Sequence, residues 1–152
     1  MKKKLLSLLL AVAMVVTLAA CGEKKPTPGK DATATEPVVI LHTNDVHGAI
    51  ENYAKVAVLA SQYESEGAYV LILDAGDFSQ GTSYVSLSEG AAAIELMNMT
   101  GYDAAALGNH EFDYGFEALK KNMESAGFPV LAANVKYNGE LAFDDAAVFT
   151  TP

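Results

Sequence analysis

From residue 37 onward, apolar positions along the chain follow two periods that alternate. Positions 38–42 form a short run rich in β-branched residues, which predicts a strand. Over 53–63, Val56, Leu59, Ala60 and Tyr63 recur at spacings of three and four, which predicts a helix. Positions 69–73 read as a second strand, 76–88 as a loop rich in Gly and Ser, and 91–99 as a helix ending near Gly101. A strand of small residues follows at 104–107. A helix over 116–125 carries Phe116, Leu119 and Met123 on one side with Gly127 beyond its end, and 130–133 is a fourth strand. Asn138-Gly139 marks a turn, and 142–150 reads as one further strand. The order βαβαβαβ implies an α/β domain with right-handed crossovers and strands buried on both faces. Ligand sites in such folds form beyond the carboxyl ends of the strands.

Upstream the pattern changes. Lys2, Lys3 and Lys4 precede an apolar stretch, 5–18, broken only by Ser7 and Thr17, and Leu18-Ala19-Ala20-Cys21 closes it. This is the pattern of a bacterial lipoprotein signal, 1–21, in which the Cys21 thiol takes up a lipid and becomes the new N-terminus. A transmembrane anchor and an ordinary secretory signal are the competing readings; the apolar run is short against the ~20 residues a span needs. All three place the remainder outside the cytoplasm, and the first places it at the bacterial cell envelope, anchored to the membrane by lipid. Positions 22–36 mix Lys, Pro, Gly, Thr, Asp and Ala without hydrophobic period and read as a flexible tether. The folded domain is expected over 37–152.

Composition narrows the function classes. Hydrophobic residues make up 51% and charged residues 19%, as in a globular chain. The net charge is −9, and without Lys2, Lys3 and Lys4 seven lysines face 19 acids, a balance of −12. There is no Arg. Affinity for a nucleic-acid backbone comes from clustered Lys and Arg, so no nucleic-acid polymer is expected as partner. An acidic pocket suits divalent cations instead. With Cys21 as the single cysteine, no internal disulfide can form.

Three polar clusters follow directly on the first three strands: Thr43-Asn44-Asp45-Val46-His47-Gly48, Asp74-Ala75-Gly76-Asp77, and Gly108-Asn109-His110-Glu111-Phe112-Asp113. Asp45 and His47, two apart, point the same way in an extended segment and can grip one cation; a turn beside a surface histidine explains them equally. Asp77 follows a glycine, and its two carboxylate oxygens can bridge two metals; Asp74 is its rival, and a tight turn uses the same residues. Asn109 offers a neutral oxygen to a cation. His110 can serve as an acid or cationic clamp, with Asp113 holding its tautomer. Helix capping by Asn109, with Glu111 and Asp113 in the first turn, accounts for the same residues.

Taken in this order at these strand ends, the clusters resemble those of the calcineurin-like metallophosphoesterases. Ile40 through Gly48 and Gly108 through Gly115 are most similar to the 5'-nucleotidase and UDP-sugar hydrolase branch. The resemblance covers about 38–150 and implies the N-terminal part of a β-sandwich flanked by helices. It implies two divalent ions, zinc, manganese or similar, with Asp45 and His47 on the first, Asp77 bridging and Asn109 on the second. His110 and Asp113 would form the dyad that stabilises charge on the phosphate and the leaving group. The substrate implied is a nucleotide or another small phosphoester, hydrolysed by an activated water without a covalent intermediate. The family's further histidines, in Gly-His and Gly-His-x-His motifs, and its base-binding C-terminal domain are missing from these residues. Of the three histidines, His42 is expected to pack within its strand. The chain is therefore expected to be a truncated piece with an unpaired sheet edge and little or no activity. Activity on 2',3'-cyclic nucleotides, UDP-sugars or a sulfur ester, and a non-catalytic surface lipoprotein, are the alternatives.

Overall fold

The computed structural model describes residues 37–150; the lipoprotein signal, Cys21 and the tether lie outside the described residues. Strand β1 (Val38–Thr43) leads to helix α1 (Glu51–Ser65), β2 (Tyr69–Asp74), the single-turn α2 (Ser83–Ser86), α3 (Ala91–Thr100) and β3 (Ala104–Ala106). A 3-10 turn over His110–Phe112, α4 (Phe116–Ser125) and β4 (Val130–Leu131) follow, and a hairpin of β5 (Lys136–Tyr137) and β6 (Glu140–Leu141) comes last. Helix α1 closes on Ala68 N–H to Tyr63 O at 3.0 Å and Gly67 N–H to Glu64 O at 3.0 Å, the paired bonds that end a helix in a Schellman turn.

The first four strands form one parallel sheet in the order β1-β2-β3-β4. Residues paired across a ladder share a face. One face carries Leu41, Val70, Ile72, Ala105 and Val130, and these pack with Tyr53 and Ala60 of α1 and Ile94 and Met97 of α3. Phe78, Val85 and Met97 are fully buried in this cluster, each contributing on the order of 1.5–3 kcal/mol. In-register pairing from Val38↔Tyr69 to Thr43↔Asp74 brings the ends of β1 and β2 level, and the three loops that follow β1, β2 and β3 start side by side.

Three expectations are corrected. Strands buried on both faces do not describe β1: its residues alternate, with Val38 50% and Ile40 58% exposed, because β1 is an edge strand and its helices cover the other face. His42 shares that outer face and is exposed, not packed. The strand expected at 142–150 is a single bridge from Asp144 to Leu131, supported by Ala132 N–H to Asp144 O at 2.9 Å. Two adjacent acids, Asp144 and Asp145, disfavour extension, and β4 is itself only Val130–Leu131, so no partner continues the ladder.

Candidate metal centre

Backbone hydrogen bonds lace the three loops together. Asp45 N–H donates to Gly76 O at 3.0 Å and His47 N–H to Asp77 O at 3.1 Å, tying the first loop to the second. His110 N–H donates to Asp77 Oδ1 at 2.8 Å, tying the third loop to the same carboxylate. These ties hold Asp45, His47 and Asp77 at φ of 52°, 46° and 61°. Among the described residues the other non-glycine positions with positive φ are Glu89 and Asn138, so three of the five such residues fall in this one site. Left-handed backbone at a non-glycine residue costs roughly 1–3 kcal/mol and collects where function over-determines it. Asp45 and His47 thus meet through a tight left-handed loop and not through the extended alternation expected of them.

His47 Nε2 stands 3.5 Å from Asp45 Oδ1, and its ring lies edge-on to that of His110 with centroids 5.0 Å apart. Donor atoms of His47, Asp77 and His110 all lie within 4.8 Å of one another. His110 Nδ1 is 2.8 Å from Asp113 Oδ2. The hydrogen bond to Asp113 raises the pKa of this imidazole, desolvation opposes it, and the charges of Asp113, Asp77 and Glu111 add in the raising direction. Asn109 sits exposed at the start of the 3-10 turn and makes no side-chain capping bond, so the capping alternative is not what this turn uses.

The cluster suits a divalent cation: the hard Asp77 carboxylate and the His47 imidazole converge with His110 beside them, Asp45 adjoins them, and no Lys in the three loops competes for the carboxylates. Asp74, the rival of Asp77, is turned inward. It is 4% exposed, its Oδ2 accepts the Thr43 hydroxyl at 2.5 Å and its Oδ1 accepts Gly76 N–H at 2.7 Å. Tyr102 O–H completes that chain at Thr43 Oγ1, 2.7 Å away.

Two residues of the site escaped sequence reasoning. Glu111 is 2% exposed and accepts four backbone N–H groups, where a helix-first-turn acid was expected. Its only sequence signal is the lack of any Lys or Arg between Asp103 and Leu119 to partner a carboxylate. Gln80, in the Gly and Ser-rich loop, offers Oε1 to His47 Nδ1 at 3.1 Å. With the Nδ1 proton given to Gln80, the Nε2 lone pair faces Asp45 and a cation. Gln80→Leu is expected to weaken Mn2+ binding about 10-fold while shifting the urea midpoint little, measured by isothermal titration and equilibrium unfolding.

Residues 38–147 match the family model for calcineurin-like phosphoesterase. A 5'-nucleotidase of Vibrio vulnificus (strain CMCP6) is 36% identical, the match covering 92% of this chain and 28% of the relative. A 5'-nucleotidase of Mus musculus is 37% identical over 80% of this chain and 24% of its own length. The crystal structure of a 5'-nucleotidase precursor from Thermus thermophilus superposes with a TM-score of 0.58 at 35% identity, covering 62% of this chain and 22% of that one. The chain thus spans about a quarter of the length of the relatives it matches.

Proposed function

The chain belongs to the calcineurin-like phosphoesterases, and from that premise we propose that its three loops form part of a two-metal phosphoester hydrolase site of the 5'-nucleotidase type. The observation that carries the proposal is the convergence of His47, Asp77 and His110 donor atoms within 4.8 Å, with Asp45 and Asp113 in contact at either end. Relatives named 5'-nucleotidases support a nucleotide or another small phosphoester as substrate. Asp45 and His47 would hold one divalent ion, Asp77 would bridge to a second, and Asn109 would add its side-chain oxygen there. Such ions supply Lewis-acid polarisation of the phosphoryl group and acidify a water molecule.

The protein's own groups do the remaining work. Asp113 accepts the Nδ1 proton of His110 and fixes its ring, which leaves Nε2 to donate to a phosphoryl or leaving-group oxygen. Gln80 fixes His47 in the same way. The donors named above leave the second ion with one carboxylate and one amide oxygen, so turnover by this chain alone is expected to be slow.

The test is a Mn2+ titration of the full chain followed by EPR, with phosphate release measured from AMP and from bis-p-nitrophenyl phosphate. At least one ion per chain is expected, lost in Asp77→Ala, with release above the metal-free background that disappears in His110→Ala. Absence of Mn2+ and Zn2+ binding at millimolar concentration sinks the proposal. Hydrolysis of the diester alone would shift the substrate class to cyclic or diester nucleotides.

Export and lipid anchoring at a bacterial envelope is part of the same proposal, supported by the basic start, the apolar stretch 5–18 and the Leu-Ala-Ala-Cys closure. Cys21→Ser is expected to abolish incorporation of labelled palmitate in an expressing bacterium and to retain an uncleaved leader. A wild-type chain without label would overturn the anchor.

A further inference from the structure

We propose that Glu111 is a positioning residue for the metal centre: its buried carboxylate ties the loop after β2 to the loop after β3 and sets Asp77 against Asn109 and His110 before any ion binds. The inference rests on the metal-centre reading above.

The side chain is 2% exposed, and both of its oxygens are doubly engaged. Oε1 accepts N–H from Phe78 at 2.9 Å and Ser79 at 3.0 Å; Oε2 accepts N–H from Asp77 at 2.9 Å and Gly108 at 2.7 Å. A buried carboxylate is costly unless paired or hydrogen-bonded, and four donors fill the four lone-pair sites it has. The left-handed turn at Asp77 lets three successive N–H groups converge on one anion, the geometry of a backbone nest.

The tie is reciprocal. Asp77 gives its N–H to Glu111, while its own Oδ1 accepts N–H from His110, the neighbour of Glu111. Two loops about one strand apart are therefore closed into a ring of hydrogen bonds that passes through the bridging carboxylate. Glu111 is saturated by these donors and has no lone pair left for an ion, so its effect on the metal acts through Asp77 and the Asn109 peptide.

Only a carboxylate of this length fits. Glutamine has one carbonyl oxygen, and its NH2 would face two backbone N–H donors; aspartate is one methylene short of reaching both loops. Glu111→Gln is expected to weaken Mn2+ binding by the metal-free full chain 10- to 100-fold and to alter the Mn2+ EPR line shape. Met97→Ala, a cavity on α3 that removes no hydrogen bond to Glu111 or Asp77, serves as a control for general destabilisation and is expected to keep affinity within about threefold. Amide exchange without metal is expected to show Phe78, Ser79 and Gly108 protected in wild type and unprotected in Glu111→Gln, with Leu71 and Ile72 unchanged.

A folded Glu111→Gln chain with wild-type affinity overturns the inference, as does equal loss of affinity in Met97→Ala. If Glu111→Gln does not fold, Glu111→Asp is read by the same criteria. A wild-type chain that binds no Mn2+ overturns the metal-centre reading and this inference together, whereas wild-type binding unaffected by Glu111→Gln overturns the inference alone.

Discussion

Gly108→Ala is expected to lower the affinity of the chain for Mn2+ by about 100-fold or more, the upper end of what changes around a metal ligand cost. A Cβ at this position would stand 2.7 Å from Asp77 Cγ and 2.7 Å from Asp77 N, and closer still to Oδ1. Asp77 cannot give way cheaply. Its N–H is held by Glu111, its Oδ1 by His110 N–H, and its backbone by a left-handed φ of 61°. Either the carboxylate swings away from His47 and His110, or the loop after β3 lifts off the loop after β2. Both outcomes separate the donors. The overpacking itself is expected to destabilise by about 1–3 kcal/mol, which leaves a folded population in which titration calorimetry can read the metal. Affinity within threefold of wild type would mean that Asp77 is not where the ion sits.

What the sequence made legible was the part governed by period and position. Strand runs and three- and four-residue spacings located β1, β2, α1, α3 and α4 because burial of one face fixes them, and polar clusters after strands located the loops. Side-chain direction within those loops was not legible. Asp45 and His47 come together through left-handed backbone, which depends on Gly76 O and Asp77 O, about 30 residues further along in the second loop. Glu111 and Gln80 were missed for the same reason, since each acts on groups from a different loop. The tail after Asp145 misled because an apolar run reads as a strand whether or not a neighbour pairs with it; Val148 is 91% exposed.

The exposed side of β1 adds a physical constraint. Val38 and Ile40 lie on β1, an edge strand of the sheet among the described residues, and face outward together with His42. Helices occupy the opposite face, so the three loops at the carboxyl end are braced from one side of the sheet and from each other. Their footing therefore depends on the buried polar groups beneath them, among which Asp74, Tyr53 and Tyr102 have a raised proton affinity.

Replacing Asp74 with Asn is expected to change how stability depends on pH in the metal-free chain. Burial pushes the Asp74 carboxyl up from 3.8 to about 6, opposed by its bonds from Thr43 and Gly76 and aided by the charges of Glu111 and Asp45. Because the folded-state value is the higher one, the folded chain binds this proton more tightly than the unfolded chain does. The stabilising contribution is complete below about pH 4 and is lost as pH rises through about 6. A gap of this size corresponds to about 3 kcal/mol at neutral pH. Asn keeps an oxygen for Gly76 N–H and an NH2 that can donate to Thr43 Oγ1, with the Thr43 and Tyr102 hydroxyls reversing their direction. Asp74→Asn is therefore expected to match wild type near pH 4 and to exceed it by up to about 3 kcal/mol at pH 7, measured by urea unfolding in the presence of a chelator. A stability difference that stays flat between pH 4 and pH 7 would show that Asp74 is ionised in the folded chain throughout, held by the Thr43 and Gly76 bonds against its burial.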